Sequence, residues 1–363
     1  MLGPTCCKVC DKLASVSMML IYFLSPFVSF AMTIAGLILL RPLAIRLGLV
    51  DKPGGRKHHQ GNIPLIGGIA IFFGLGFSLL TLNISLSNYR CFIAGCVLLV
   101  ISGILDDFKE LTPRARLFIQ CLVAILMVTW GNQVLYNFGD LFSFGNISLG
   151  YFGFPITIIA VLAVINAVNM TDGADGLAGS IAWIELAYFA WIAHRAGQFM
   201  DVQIICLALS ALFAFLCFNF PLFQKAKVFM GDSGSMMLGF LLVWFAVGLS
   251  QIPGAAHPVT FLWILAVPLW DISSVVTRRV LRGYSPMKAD RGHLHHYLSE
   301  KGFSSLQVTV LISVLSVILG LMGVMGEIYA VPESVMFGTF LGIFTVYLGI
   351  LHVAWTKLGH LKH

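Results

Sequence analysis

The chain has 363 residues, of which 58% are hydrophobic and only 10% charged, with a mean hydropathy of +0.92. Water-soluble domains carry about 25% charged residues, so this composition excludes a soluble protein and requires a helical, many-span membrane protein. The formal net charge of +6 does not point to nucleic acid, because the basic residues are spread through short loops on one side.

Residues 1–17 are expected to be an unstructured tail, 18–355 a single transmembrane catalytic domain, and 356–363 a short cytoplasmic tail. Cys6, Cys7 and Cys10 crowd the first stretch but lack a fourth ligand for a metal clip. Cys91, Cys96, Cys121, Cys206 and Cys217 lie in apolar segments and read as small core residues. The first apolar run is too long for the core of a signal peptide and is kept as a spanning helix.

Apolar runs predict about eleven spans: 18–40, 63–82, 89–105, 117–135, 153–169, 180–197, 202–221, 234–250, 259–277, 306–326 and 335–355. The predicted class is therefore an all-α polytopic membrane protein. An odd number of spans puts the termini on opposite sides. With the N-terminus periplasmic, the inner loops hold 18 of the 22 basic residues, leaving only Lys8, Lys12, Arg90 and Arg195 outside. The positive-inside rule selects that orientation.

The acids follow the same bias. Asp106 and Asp107 close the third span in ILDDFKE, where a continuing helix would put Glu110 on the face of Asp106. Adjacent carboxylates repel by about 4 kcal/mol at 4 Å and an effective dielectric near 20. Either a proton or a divalent cation removes that cost. NMTDGADG (169–176) brings Asn169, Asp172 and Asp175, with glycines that let backbone approach a ligand closely. KVFMGDSGS (227–235) adds Asp232 and two serines at the start of a helix, a natural place for phosphate or metal. Phe229 beside it is either an interfacial anchor or a stacking surface for a base. Three acidic motifs without a Cys–His cluster point to Mg²⁺ or Mn²⁺.

RKHH (56–59) and RGHLHH (291–296) place cations and histidines on the same side. Zinc binding is a competing reading of the second motif, but Lys288 and Arg291 beside it favour a polyphosphate. Asp271 is expected to pair with Arg278 or Arg279, and Glu185 with a partner inside the bundle. A transporter would instead hold its acids near the midplane, at broken helices.

Five motifs in order, GLVDKPGGRKHHQGNIPLIGG, DDFKE, NAVNMTDGADGLAG, KVFMGDSGS and SPMKADRGHLHH, run from about Gly48 to Phe303. In these the chain resembles the polyprenyl-phosphate N-acetylhexosamine-1-phosphate transferases, and most of all the WecA-type branch that starts O-antigen and enterobacterial common antigen synthesis. The resemblance implies an enzyme of the bacterial inner membrane with its site on the cytoplasmic face. Its expected substrates are a UDP-N-acetylhexosamine and undecaprenyl phosphate, its products UMP and a lipid-linked diphosphate sugar. UDP-GlcNAc is the default donor, with UDP-N-acetylfucosamine as an alternative. The family pattern implies Asp107 and Asp232 as Mg²⁺ ligands with Asp106 beside them, and Asp172 and Asp175 in metal, catalytic or uracil contact. It also implies Phe229 as a stacking surface for uracil. His293, His295, His296 and Arg291 then hold the diphosphate and sugar, with His293 also among the catalytic groups. Lys57 and His58 lie in a loop for the nucleotide phosphates, and Asn169 joins the substrate-binding set. Many members end the first motif in Asp where this chain has Glu110. A homodimer is compatible with all of this, and no nucleic acid partner is expected.

Overall fold

The computed structural model describes residues 5–51, 61–82, 85–222, 226–281, 283 and 292–357, with side chains from Leu24 to Trp355 within them. Thirteen α-helices follow in order among these residues. They are α1 (Thr5–Leu47), α2 (Gly67–Leu79), α3 (Arg90–Lys109), α4 (Pro113–Thr129), α5 (Gly153–Thr171), α6 (Leu177–Arg195) and α7 (Phe199–Asn219). After them come α8 (Gly231–Ser250), α9 (Pro258–Ile264), α10 (Ala266–Leu281), α11 (Leu294–Glu300), α12 (Ser305–Ile328) and α13 (Glu333–Lys357). A two-stranded antiparallel ribbon, β1 (Val50–Asp51) and β2 (Ile63–Pro64), joins α1 to α2.

Every predicted apolar run meets a helix, but not every helix has the length of a span. Eight are long and apolar enough to cross a membrane, or nine if α9 and α10 count as one span bent by 78°. α2 has only 13 residues, and α4 has 17 with Arg114 and Arg116 in its first turn. The eleven-span count therefore rests on two helices below the usual length. α1 is helical from Thr5, reaching into the stretch expected to be a tail. α11 was not foreseen, since seven residues carry too weak a periodic signal.

α8 is the axis of the bundle: 94% of its most apolar 18-residue window is buried, and α2, α3, α5, α6 and α9 pack around it. Small residues make this possible, as in membrane helix pairs generally. A Cβ on Gly239 would sit 2.6 Å from the Cα of Ile165 in α5. On Gly68 it would meet the backbone nitrogen of Gly234 at 2.1 Å, and on Gly103 the Cα of Ser233 at 2.2 Å. α2 and α3 thus touch the first turn of α8 backbone to backbone. The approach is fixed by hydrogen bonds from Phe229 N–H to Pro64 O, from Gly67 N–H to Phe229 O and from Gly68 N–H to Met230 O, each 2.9 Å.

Glu185 in α6 is fully buried, and neither carboxyl oxygen has a hydrogen-bond partner among the described residues. The partner expected from sequence is not found there. Glu185 instead lines a narrow crevice with Val168, Thr171, Ala178, Ile181, Ala182 and Pro268. An unsatisfied buried polar group costs about 1–3 kcal/mol. Glu185→Met, similar in volume and without that group, is expected to raise the thermal midpoint of the detergent-solubilised protein; an unchanged or lower midpoint would show that the carboxyl is satisfied.

At the far end of α9 from Asp271, His257 is clasped between two acids. Its Nδ1 lies 3.0 Å from Glu327 and its Nε2 3.6 Å from Glu333, while the Thr260 hydroxyl donates to Glu327 at 2.9 Å. The hydrogen bond to Glu327, opposed by partial burial and aided by both carboxylate charges, raises the His257 pKa above its ordinary value. The clasp therefore contributes stability that is full below about pH 6.5 and is lost as pH rises through the raised value. His257 is half-exposed, so screening holds the effect to under about 1 kcal/mol. The midpoint difference between wild type and His257→Gln is expected to shrink steadily from pH 6 to pH 9.

Candidate active site

Four chain segments meet at the first turn of α8. The acidic end of α3 supplies Asp106 and Asp107. Helix α3 stops at Lys109, because Thr112 caps α4 and Pro113 occupies its first turn. Glu110 takes a left-handed conformation (φ 48°) and its N–H closes on Asp106 O at 2.8 Å. The continued helix that would align Glu110 with Asp106 does not form, and Glu110 is exposed.

The two adjacent aspartates point to different tasks. Asp106 is buried, forms an ion pair with the Arg116 guanidinium, and accepts the Leu111 N–H at 2.7 Å. It therefore clasps the α3–α4 turn. Asp107 accepts the backbone N–H of Asp232 at 2.9 Å and that of Ser233 at 3.5 Å. Its carboxylate thus fills the N-terminus of α8, which the sequence left open for phosphate. An anion there meets both the unpaired N–H groups and the positive end of the helix dipole.

Asp232 stands next to it, partly exposed. Its Oδ1 accepts from the Asn169 amide at 2.7 Å and its Oδ2 lies 3.7 Å from Arg116. Asn169 also donates to the Ser235 hydroxyl at 2.8 Å, which ties the end of α5 to α8. Arg116 reaches both acidic corners, yet sequence reasoning passed over it as one more loop cation. Its spacing from Asp106, ten residues across a proline-led turn, gives no periodic signal.

Asp172 ends α5 and faces the same space. Burial, with the charges of Asp232, Asp107 and Asp175, pushes its carboxyl up to about 8. Asp175 lies in the next turn, where its carbonyl accepts from Thr309 of α12 at 2.8 Å. Gly173 is required by a neighbour other than the one expected: a Cβ there would lie 2.1 Å from Nε2 of His295. The histidine segment is thereby laid against the acidic loop.

That segment is gripped from below. Asp271 of α10 is buried; its Oδ2 is 2.8 Å from His293 Nδ1 and its Oδ1 accepts the Leu294 N–H at 2.8 Å. The pairing expected with Arg278 or Arg279 is thus not the whole account of Asp271. Arg278 itself donates to the Gly292 carbonyl. The ring of His293 stacks parallel to His295 at 5.7 Å, and His296 lies 4.2 Å from His295. Burial, then the charge of His296, holds the His295 imidazole down to about 3, so it is neutral near pH 7. Phe229 is half-buried, its backbone locked between Pro64 and Gly67. Lys57, His58 and Arg291 lie outside the described residues.

The donor set suits a hard divalent cation. Asp107, Asp172 and Asp232 all offer carboxylate oxygens, and burial, then the charges of three neighbouring carboxylates, raises the Asp172 pKa. Among the described residues, no three acidic, His or Cys side chains already stand in ligand geometry. The residues present fit the ion by chemistry rather than as a preformed cage.

The family profile described as glycosyl transferase family 4 matches residues 89–250. A Yersinia pestis protein named undecaprenyl-phosphate alpha-N-acetylglucosaminyl 1-phosphate transferase is 39% identical over 339 residues, 92% of both chains. The chain belongs to glycosyl transferase family 4. Proteins of the same name from Haemophilus influenzae and Escherichia coli K12 are 42% and 38% identical, each over 92% of this chain and at least 92% of their own. As a family 4 member, the chain is a multi-pass membrane protein whose profile-matched stretch holds the acids of α3, α5 and α8. The histidine segment and Asp271 lie beyond that stretch but within the long alignments.

Proposed function

We propose that this chain transfers N-acetylglucosamine 1-phosphate from UDP-GlcNAc to undecaprenyl phosphate, at the cytoplasmic face of a bacterial inner membrane. The observation that carries the proposal is the shared name of relatives aligned over 92% of the chain, joined to an acidic corner and a histidine segment brought into contact at Gly173.

In the proposed reaction, an oxygen of the lipid phosphate attacks the phosphorus that bears the sugar. The bond from that phosphorus to the bridging oxygen breaks, and UMP leaves with the electron pair. The second pKa of a phosphate monoester is about 6, so the nucleophile is already mostly dianionic at neutral pH. Charge neutralisation and alignment then matter more than a general base. Mg²⁺, or Mn²⁺ in its place, would be held by Asp232 and Asp107 with Asp172 and would neutralise diphosphate charge. Asn169 orients Asp232. Arg116 holds Asp106 and limits the repulsion around Asp232. Asp175 belongs to the loop that carries Asp172. Phe229 offers its ring to uracil from a fixed backbone. His293, His295 and His296, with Arg291, Lys57 and His58 by the family pattern, are assigned to the diphosphate and sugar.

The test uses the purified full-length protein. UMP release from UDP-GlcNAc is expected only when undecaprenyl phosphate and a divalent cation are both present, and to stop on chelation. Lipid-independent release would instead support a covalent aspartyl-phosphate route through Asp106 or Asp107. Absence of release with UDP-GlcNAc, alongside release with another UDP-N-acetylhexosamine, would reassign the sugar.

A further inference from the structure

The residue that organises the histidine segment lies outside every motif considered above. Asp271 sits on α10, one turn past Pro268 and just beyond the 78° bend from α9. It is buried, as is His293. Its two carboxylate oxygens are spent on two donors of one short stretch, the His293 ring at 2.8 Å and the Leu294 backbone N–H at 2.8 Å. Leu294 opens α11, so the second bond also caps the first turn of that helix.

We infer that Asp271 is a positioning residue: it fixes the tautomer of His293 and the place of the 292–296 backbone, so that His293 meets substrate through Nε2. An ionised carboxylate can only accept, so the shared proton is on Nδ1. Whatever charge the ring carries, Nε2 is the one ring atom left to face a phosphate oxygen or to exchange a proton. The ring lies parallel to that of His295 at 5.7 Å, and His295 is itself set against Gly173. Asn in place of Asp271 has one acceptor for two donors. It would leave either Nδ1–H or the Leu294 N–H facing an NH₂ group.

The kinetic arm of the test rests on the transferase reading; the exchange arm does not. In hydrogen–deuterium exchange on the full chain, Asp271→Asn is expected to speed exchange at the Leu294 amide by about tenfold or more while the first turn of α8 is unchanged. An unchanged Leu294 amide, or an equal rise in α8, would overturn the inference whether or not the protein is active. Given wild-type UMP release, Asp271→Asn is expected to lower kcat by about 10–100-fold with KM for the sugar nucleotide within about threefold. Combined with His293→Gln it should lower activity no further than His293→Gln alone. Multiplying losses in the double variant, or a near-normal kcat for Asp271→Asn, would overturn the claim that Asp271 acts through His293. If Asp271→Asn does not yield folded protein, Asp271→Ser takes its place in both arms with the same criteria.

Discussion

Gly103→Ala is expected to abolish most of the activity although Gly103 touches no proposed substrate group. The new methyl would lie 2.2 Å from the Cα of Ser233, 2.3 Å from its nitrogen and 2.7 Å from the carbonyl carbon of Asp232. All three are backbone atoms of the first turn of α8, so no side chain can swing aside. The helices must part by about 1 Å, at an overpacking cost of about 1–3 kcal/mol. Parting them stretches the 2.9 Å bond from the Asp232 N–H to Asp107 and separates two acids proposed to share one cation. A misplacement of about 1 Å costs about 10²-fold in rate. UMP release and a thermal melt on the same preparation check the result. A loss of activity of about 10²-fold with a midpoint a few degrees lower fits this account. Near-normal turnover would mean that the α3–α8 contact does not set the geometry of the site.

Asp232→Asn is expected to remove activity by a different route, with the fold preserved. The replacement keeps an oxygen for the Asn169 amide, and the backbone N–H that caps onto Asp107 is untouched. The negative charge beside Arg116 is lost, together with the anionic oxygen proposed for the cation. A fall of at least about 10²-fold in UMP release is expected, with a thermal midpoint close to wild type. Raising the Mg²⁺ concentration should not restore the rate. A variant that retains near-normal turnover would take Asp232 out of the chemistry.

Much of the fold was readable because hydropathy reports directly on where a segment can sit. The apolar runs became helices, and Asp107, Asp172 and Asp232 lie on the side of His293, His295 and His296, as their loop positions implied. Breaks within apolar runs were harder. The sharp bend between α9 and α10 lies inside one hydrophobic stretch, where only Pro268 hinted at it. The tasks of the acids were hardest to read, since each is decided by a partner far away in sequence. Asp107 caps a helix that begins more than 120 residues later, Asp106 answers Arg116 across a turn, and Asp271 reaches His293 past a loop. Gly173 was noticed for a ligand, while the neighbour it meets within the chain is His295. A glycine in sequence says that something comes close without naming what does.

The capping of α8 by Asp107 has a consequence for the order in which the protein is made. Every residue of the acidic corner, from Asp106 to Ser235, lies before residue 251, so its parts are complete once α8 has left the ribosome and entered the bilayer. The histidine segment and the aspartate that grips it arrive afterwards. A nascent chain halted after α8 could therefore set Asp107 on the first turn of α8, and the last five helices, α9 to α13, would dock the histidines there and add the Thr309 bond to the Asp175 carbonyl.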